Sequence, residues 1–318
     1  MTESTRPNSE RVAVLLMAYG TPRTPAEIEP YYTDIRRGRP PTPEALADLT
    51  ERYAAIGGVS PLAQLTEAQR DALQQALDDR EPGRFHVTLG LKHADPKVEV
   101  AAADLAASGF PTVVGLVLAP HYSSYSIGQY LDRTRQGVDE AGSGTAVIGV
   151  ESWAVEPEFV EFLAADLSER LTAMRAASDG AVRVLFTAHS LPQRIIDDGD
   201  PYPDQLRATA EAVAARLGLT EGTDWQLAWQ SAGRTPEPWI GPDILEVIDE
   251  LAETDGIGGV IVSACGFVAD HLEVLFDLDI EAAQRAERHG LAFDRTACVN
   301  DDPAIMSALA DRVIAALA

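Results

Sequence analysis

The segment Gly266-Phe267-Val268-Ala269-Asp270-His271-Leu272-Glu273, with Asp277 and Glu281 beyond it, holds the densest chemistry in the chain. Read as a helix, Glu273, Asp277 and Glu281 stand at i, i+4 and i+8, which aligns three carboxylates on one face. Such a stripe is unfavourable without a cation, and carboxylate oxygens suit hydrated divalent ions. A plain solvated acidic face is the other reading. His189 follows the apolar run 182–188 directly, which places it at a strand end rather than in a core. If His189 and Glu273 come from neighbouring strand ends, they can work together as a base and a carboxylate metal ligand. A hydrogen-bonded structural histidine is the alternative.

A second constellation is cationic. Ile35-Arg36-Arg37-Gly38-Arg39 carries three arginines with no acid from Ile35 through Pro43, and Arg52-Tyr53 follows. Guanidinium grips carboxylate in a two-pronged fork, so this stretch is either a clamp for a carboxylate-bearing ligand or an exposed turn and helix end. Ser60, after Gly57-Gly58-Val59, either caps the next helix or holds another carboxylate. Trp229, Trp239 and Tyr130 suit either a core or a flat aromatic ligand.

The elements that must position these groups are legible as short apolar runs alternating with longer amphipathic stretches. Strands are expected at 12–18, 86–92, 112–119, 146–151, 182–188, 225–229 and 258–264. Helices are expected at 42–54, 61–78, 96–108, 125–140, 157–176, 203–217, 242–253, 270–288 and 303–317. Strands alternating with helices imply an α/β protein with parallel sheets covered on both faces. A break between Gly142 and Pro157 divides the chain into two such halves, 1–150 and 151–318, with the last helix free to pack back on the first.

In sheets of this kind the site lies outside the carboxyl ends of the strands. Those ends read Tyr19-Gly20-Thr21-Pro22, Lys92-His93, Pro120-His121-Tyr122-Ser123-Ser124, His189-Ser190-Leu191-Pro192, Gln230-Ser231-Ala232-Gly233-Arg234 and the segment from Gly266. No dinucleotide-binding glycine fingerprint, P-loop, nucleophile elbow or H-E-x-x-H occurs. What remains is a rim suited to holding a metal ion or moving protons.

Fifty acidic against twenty-five basic residues give a net charge of −25, which repels nucleic acid and anionic lipid surfaces. No apolar run approaches the ~18 residues of a membrane span. The run 12–18 reads as a buried strand rather than a signal-peptide core, since no small-residue cleavage pattern follows it. Two cysteines, Cys265 and Cys298, are too few for a disulfide framework or a four-thiolate cluster, which points to a reducing cytoplasm.

The motifs Leu16-Met17-Ala18-Tyr19-Gly20-Thr21-Pro22, Tyr32-Thr33-Asp34-Ile35-Arg36-Arg37-Gly38-Arg39 and Ile56-Gly57-Gly58-Val59-Ser60-Pro61-Leu62 closely resemble the ferrochelatases. So do Ala188-His189-Ser190-Leu191-Pro192, Trp229-Gln230-Ser231 with Trp239-Ile240-Gly241-Pro242, and the segment from Gly266 to Glu273. The resemblance runs from about residue 12 to the C-terminus and is nearest to the soluble coproporphyrin ferrochelatases of Gram-positive bacteria. It implies two similar Rossmann-like domains with the porphyrin cleft between them, and insertion of Fe²⁺ into coproporphyrin III.

The same resemblance implies that His189 and Glu273 handle ferrous iron, with Tyr19 approaching the metal from the other face of the macrocycle. By the same match, Arg36, Arg52, Tyr53, Ser60 and Tyr130 contact the porphyrin or its propionates, and Asp277 and Glu281 form an outer cation site. Coproporphyrin III and Fe²⁺ are the expected partners of a monomer, with at most transient contact to neighbouring haem-pathway enzymes. No resident cofactor is expected. Some family members bind a [2Fe–2S] cluster through four cysteines, and with two this chain should not. A protoporphyrin IX ferrochelatase, a cobalt or nickel chelatase for another tetrapyrrole, and a haem carrier are the alternatives.

Overall fold

The computed structural model describes residues 6–233 and 235–318, so Arg234 lies outside the described residues. The chain forms two compact units, one made by the chain up to Trp153 together with Asn300–Ala318, the other by Ala154–Val299.

In the first unit the chain runs through β1 (Val12–Ala18), α1 (Ile28–Ile35), α2 (Pro43–Ala55), α3 (Leu62–Arg80), β2 (Phe85–Leu91), α4 (Val98–Ala107), β3 (Thr112–Val117), α5 (Gln129–Ala141) and β4 (Ala146–Val150). The strands are parallel in the order β2-β1-β3-β4. Every residue of β1 is buried, as a central parallel strand covered on both faces requires. Its Ala13, Leu15 and Met17 join Val113 and Val117 of β3 in a core with Ala101, Ala102 and Leu105 of α4 and Leu131 and Val138 of α5.

The second unit repeats this plan with α6 (Pro157–Ala177), β5 (Ala181–His189), α7 (Gln193–Asp197), α8 (Tyr202–Leu217), β6 (Trp225–Gln230), α9 (Ile244–Ala252), β7 (Ile257–Ser263), α10 (Leu272–Leu275), α11 (Ala283–Arg288) and β8 (Ala292–Arg295). The parallel order is β6-β5-β7-β8, the same permutation as in the first unit. Leu185, Ala228, Val260 and Val262 of the sheet pack against Ile244, Val247, Ile248 and Leu251 of α9. The chain then returns to the first unit as α12 (Pro303–Ala315), which lies on α3. Arg80 of α3 holds it there through Asp311 at 2.5 Å and the Ser307 carbonyl at 3.0 Å. Two Rossmann-like α/β units are thus the architecture expected from the alternating pattern. Among the described residues no helix is long and apolar enough to cross a membrane.

Several elements depart from the expectation. Helices α1 and α7 lie where no helix is expected, β8 is an unexpected fourth strand, and the helix expected over 270–288 is broken into α10, a π-helical turn at Asp277–Ala282, and α11. The amide of Glu281 donates to the carbonyl of Phe276 at 2.9 Å, five residues back, which widens the turn.

Helices α4 and α5 approach so closely that a β-carbon on Gly137 would lie 2.0 Å from the carbonyl oxygen of Glu99. Gly137→Ala is therefore expected to force the helices apart at a cost of ~1–3 kcal/mol, outweighing the gain of at most about 1 kcal/mol in helix propensity. A lowered thermal midpoint in calorimetry checks this; an unchanged midpoint would mean the contact yields freely.

Candidate functional site

In the second unit the reactive groups collect at the carboxyl ends of the strands. His189 is the last residue of β5, and its backbone carbonyl accepts the Tyr202 hydroxyl at 3.1 Å. Its Nδ1 donates to the carbonyl of Ser190. A carbonyl can only accept, so Nδ1 carries the proton, and in the neutral ring Nε2 carries the lone pair. That Nε2 lies 3.7 Å from Oε1 of Glu273. His271 repeats the arrangement at the other carboxylate oxygen: its Nδ1 donates to the Ala269 carbonyl at 2.8 Å, and its Nε2 lies 3.5 Å from Oε2.

Two imidazole nitrogens, both acceptors while neutral, thus converge on one carboxylate. Acceptors facing one another are stable only with positive charge among them, as a proton or as a metal cation. Burial works against a charged His271, but the Glu273 carboxylate, the Ala269 carbonyl and the charge of Asp277 outweigh it and raise its pKa above the ordinary value. The side chains of His189 and Glu273 are 34% and 32% exposed, so an incoming ion can reach both. Among the described residues no group of three or more His, Cys, Asp or Glu side chains is set to hold a metal ion as it stands.

The segment from Glu273 to Glu281 is not one continuous α-helix, because a π-helical turn runs from Asp277 to Ala282; Asp277 is buried there and accepts a hydrogen bond from Ser231 Oγ, whereas Glu281 is exposed. The approach of the β5 end to the turn before α10 depends on Gly266. Its amide donates to the Thr187 carbonyl at 2.9 Å, and a β-carbon there would lie 2.3 Å from Ala188 Cβ. Cys265 beside it is buried, which pushes its thiol up to about 12; burial raises Cys298 as well. Neither is a ready thiolate ligand at neutral pH.

The first unit presents a different surface at its strand ends. Tyr19, directly after β1, is 42% exposed, and its ring lies 4.6 Å from that of His93, which follows β2. Burial, with Arg133 and Arg37 adding repulsion, pushes the Lys92 ammonium down to about 8, and it sits 5.2 Å from the centre of the Tyr130 ring. His93 is pushed down to about 4 by burial despite its hydrogen bond to Asp34 at 2.7 Å. Lys97 holds the other oxygen of Asp34 at 2.9 Å.

With Asp34 so occupied, Arg36, Arg37 and Arg39 stay exposed and in no ion pair among the described residues. Arg36 reaches only the Arg39 carbonyl, at 3.3 Å, and stacks over Tyr32. Arg52 stands half-buried in the last turn of α2. The other candidates in this unit point inward. Tyr53 is buried with its hydroxyl 3.3 Å from that of Thr21, Tyr130 is buried in the core, and the buried Ser60 accepts the Leu62 amide at 3.2 Å, the capping alternative.

The structure therefore brings His189 and Glu273 together, buries Asp277 and leaves Glu281 exposed. It adds residues to which sequence reasoning gave no role: His271, two positions before Glu273, and Lys92 with His93 and Asp34. Lys92 is one of two lysines in an arginine-rich chain and follows β2 as Tyr19 follows β1, which is the sequence signal for that group.

Comparison with known proteins agrees with this chemistry. The Ferrochelatase family matches residues 11–317. The chain is 43% identical over 302 residues to the coproporphyrin III ferrochelatase of Halalkalibacterium halodurans, covering 95% of this chain and 96% of that one. It is 43% identical over 301 residues to the ferrochelatase of Herpetosiphon aurantiacus, covering 95% and 97%. Its fold is similar to that of SirB from Bacillus subtilis with Fe³⁺, with a TM-score of 0.54 at 13% identity over 97% of this chain and 96% of that one. Both the family match and these identities extend over nearly the whole length, so the chain belongs to the ferrochelatase family.

Proposed function

We propose that the protein inserts Fe²⁺ into coproporphyrin III to form Fe-coproporphyrin in haem biosynthesis. The observation that carries this reading is the convergence of His189 Nε2 and His271 Nε2 on the Glu273 carboxylate, an arrangement that calls for a cation or for protons. The substrate comes from the relatives' named activity and from Arg36, Arg37 and Arg39, which are exposed and in no ion pair among the described residues.

Metallating a porphyrin requires no redox change. Fe²⁺ sheds water, two pyrrole N–H groups lose protons, and one Fe²⁺ with one free-base porphyrin gives the metalloporphyrin and two protons. His189 Nε2 and Glu273 supply a nitrogen and an oxygen ligand that replace water on the incoming ion. A proton received by Glu273 has His271 as its next acceptor, and the raised pKa of that ring favours holding it. Tyr19 is assigned to the macrocycle, and Arg36, Arg52, Tyr53, Ser60 and Tyr130 to the porphyrin or its propionates. Remote propionate binding then offsets the strain of bending a flat ring so that its nitrogens become accessible. The same reading has the protein acting as a monomer in the cytoplasm, meeting neighbouring haem-pathway enzymes only transiently.

Anaerobic mixing of the purified protein with Fe²⁺ and coproporphyrin III is the test. Catalytic conversion of the free-base spectrum, with two protons released per iron inserted, is the expected result. Stoichiometric binding of preformed Fe-coproporphyrin without turnover would instead identify a carrier.

A further inference from the structure

We infer that Gln230 is a positioning residue that sets the separation of His189 and Glu273, an inference that rests on the proposed role of that pair. Gln230 is the last residue of β6, lies opposite His189 in the sheet register and is 1% exposed. Its side-chain Nε2 donates to the backbone carbonyl of Glu273 at 2.9 Å, and its Oε1 accepts from Thr187 Oγ1 at 3.0 Å. The Glu273 carbonyl can only accept, so the amide has one orientation and the Thr187 hydroxyl must donate. The backbone carbonyl of Gln230 takes the amide of Ser190 at 2.8 Å.

One buried side chain therefore spans two elements that carry reactive groups. Thr187 lies two residues before His189 on β5, Ser190 follows directly after the strand, and Glu273 is the second residue of α10. The next residue reinforces the link. Ser231 has a φ of 61°, unusual for a residue other than glycine, and the turn it makes brings its hydroxyl to the Asp277 carboxylate. The end of β6 thus holds the Glu273-bearing segment at two points. The side chains of His189 and Glu273 have no direct hydrogen bond at 3.7 Å, so their spacing is imposed by this scaffold rather than by their own attraction. Small displacements of reacting groups cost rate more than they cost binding.

The test uses the full chain with Fe²⁺ and coproporphyrin III. Gln230→Met keeps the length and removes both side-chain hydrogen bonds; it is expected to lower kcat about tenfold or more with the porphyrin KM changed less than about twofold. Thr187→Val removes only the hydroxyl that orients the amide and should lower kcat in the same sense. The double variant should be no worse than Gln230→Met alone, since both act through one link, and Thr187→Ser, which keeps the donor, should recover kcat. Wild-type kcat in either Gln230→Met or Thr187→Val, multiplicative losses in the double variant, or a porphyrin KM that rises in step with the lost kcat would overturn the inference. Should Gln230→Met fail to fold, Thr187→Val alone decides. A wild type that inserts no iron would indict the functional reading instead.

Discussion

Replacing His189 by alanine is expected to lower kcat for iron insertion by roughly 100-fold or more, the usual scale for loss of a group that moves protons in the transition state. The substitution removes the Nε2 that faces Glu273 and leaves the β5 backbone intact, since the bonds of the strand end run through the His189 and Ser190 main chain. The arginines assigned to propionates stand elsewhere in the chain, so porphyrin affinity measured by fluorescence quenching should stay within about threefold of wild type. Near-normal turnover would remove His189 from the chemistry and return it to the role of a structural histidine.

Glu273→Gln should be comparably inactive, for a different reason. The amide is isosteric but neutral: its single NH2 group can donate to one of His189 Nε2 and His271 Nε2, while its carbonyl oxygen still faces the other. The site loses the negative charge that binds a cation or takes a proton, while the backbone carbonyl of Glu273 stays in place. A loss in kcat of roughly 100-fold or more with an unchanged thermal midpoint is expected. Retained activity would make Glu273 an ordinary half-exposed carboxylate.

The parts of this molecule legible in its sequence are those governed by burial on two faces. β1 is visible as Val12–Ala18 because a central parallel strand must be apolar throughout, and the alternation of such runs with helices already implies the two sheets. β8 is not visible because it is a short edge strand whose Asp294 and Arg295 are engaged in ion pairs, with Arg170 at 2.8 Å and Asp279 at 2.5 Å, so no apolar run marks it. The π-helical turn after Phe276 is equally hidden. Its apolar residues fit an α-helical face as well as a widened turn, and only the hydrogen bond from Glu281 back to Phe276 distinguishes the two.

The site divides along the same line. That His189 ends β5 and Glu273 follows β7 is read from position in the alternating pattern, and their meeting depends on β5 and β7 being neighbours in the sheet. The share taken by His271 depends on which ring nitrogen the Ala269 carbonyl claims, a matter of local backbone direction that residue spacing does not carry. The cationic character of Arg36, Arg37 and Arg39 is evident from composition. That they enter no ion pair among the described residues becomes evident only once Asp34 is seen to be held by His93 and Lys97.

Preference among porphyrins separates the proposed activity from its rivals. Coproporphyrin III carries four propionates to protoporphyrin IX's two, and each additional carboxylate meeting a guanidinium contributes ~0.2–1 kcal/mol when exposed and more when partly desolvated. Steady-state Fe²⁺ insertion should be measured side by side with coproporphyrin III, protoporphyrin IX and sirohydrochlorin, without detergent or lipid, for the wild type and for Arg36→Ala and Arg52→Ala. The highest kcat/KM is expected for coproporphyrin III in the wild type, with a narrowing of that preference in both arginine variants. Equal or better use of protoporphyrin IX or sirohydrochlorin by the detergent-free wild type would contradict it.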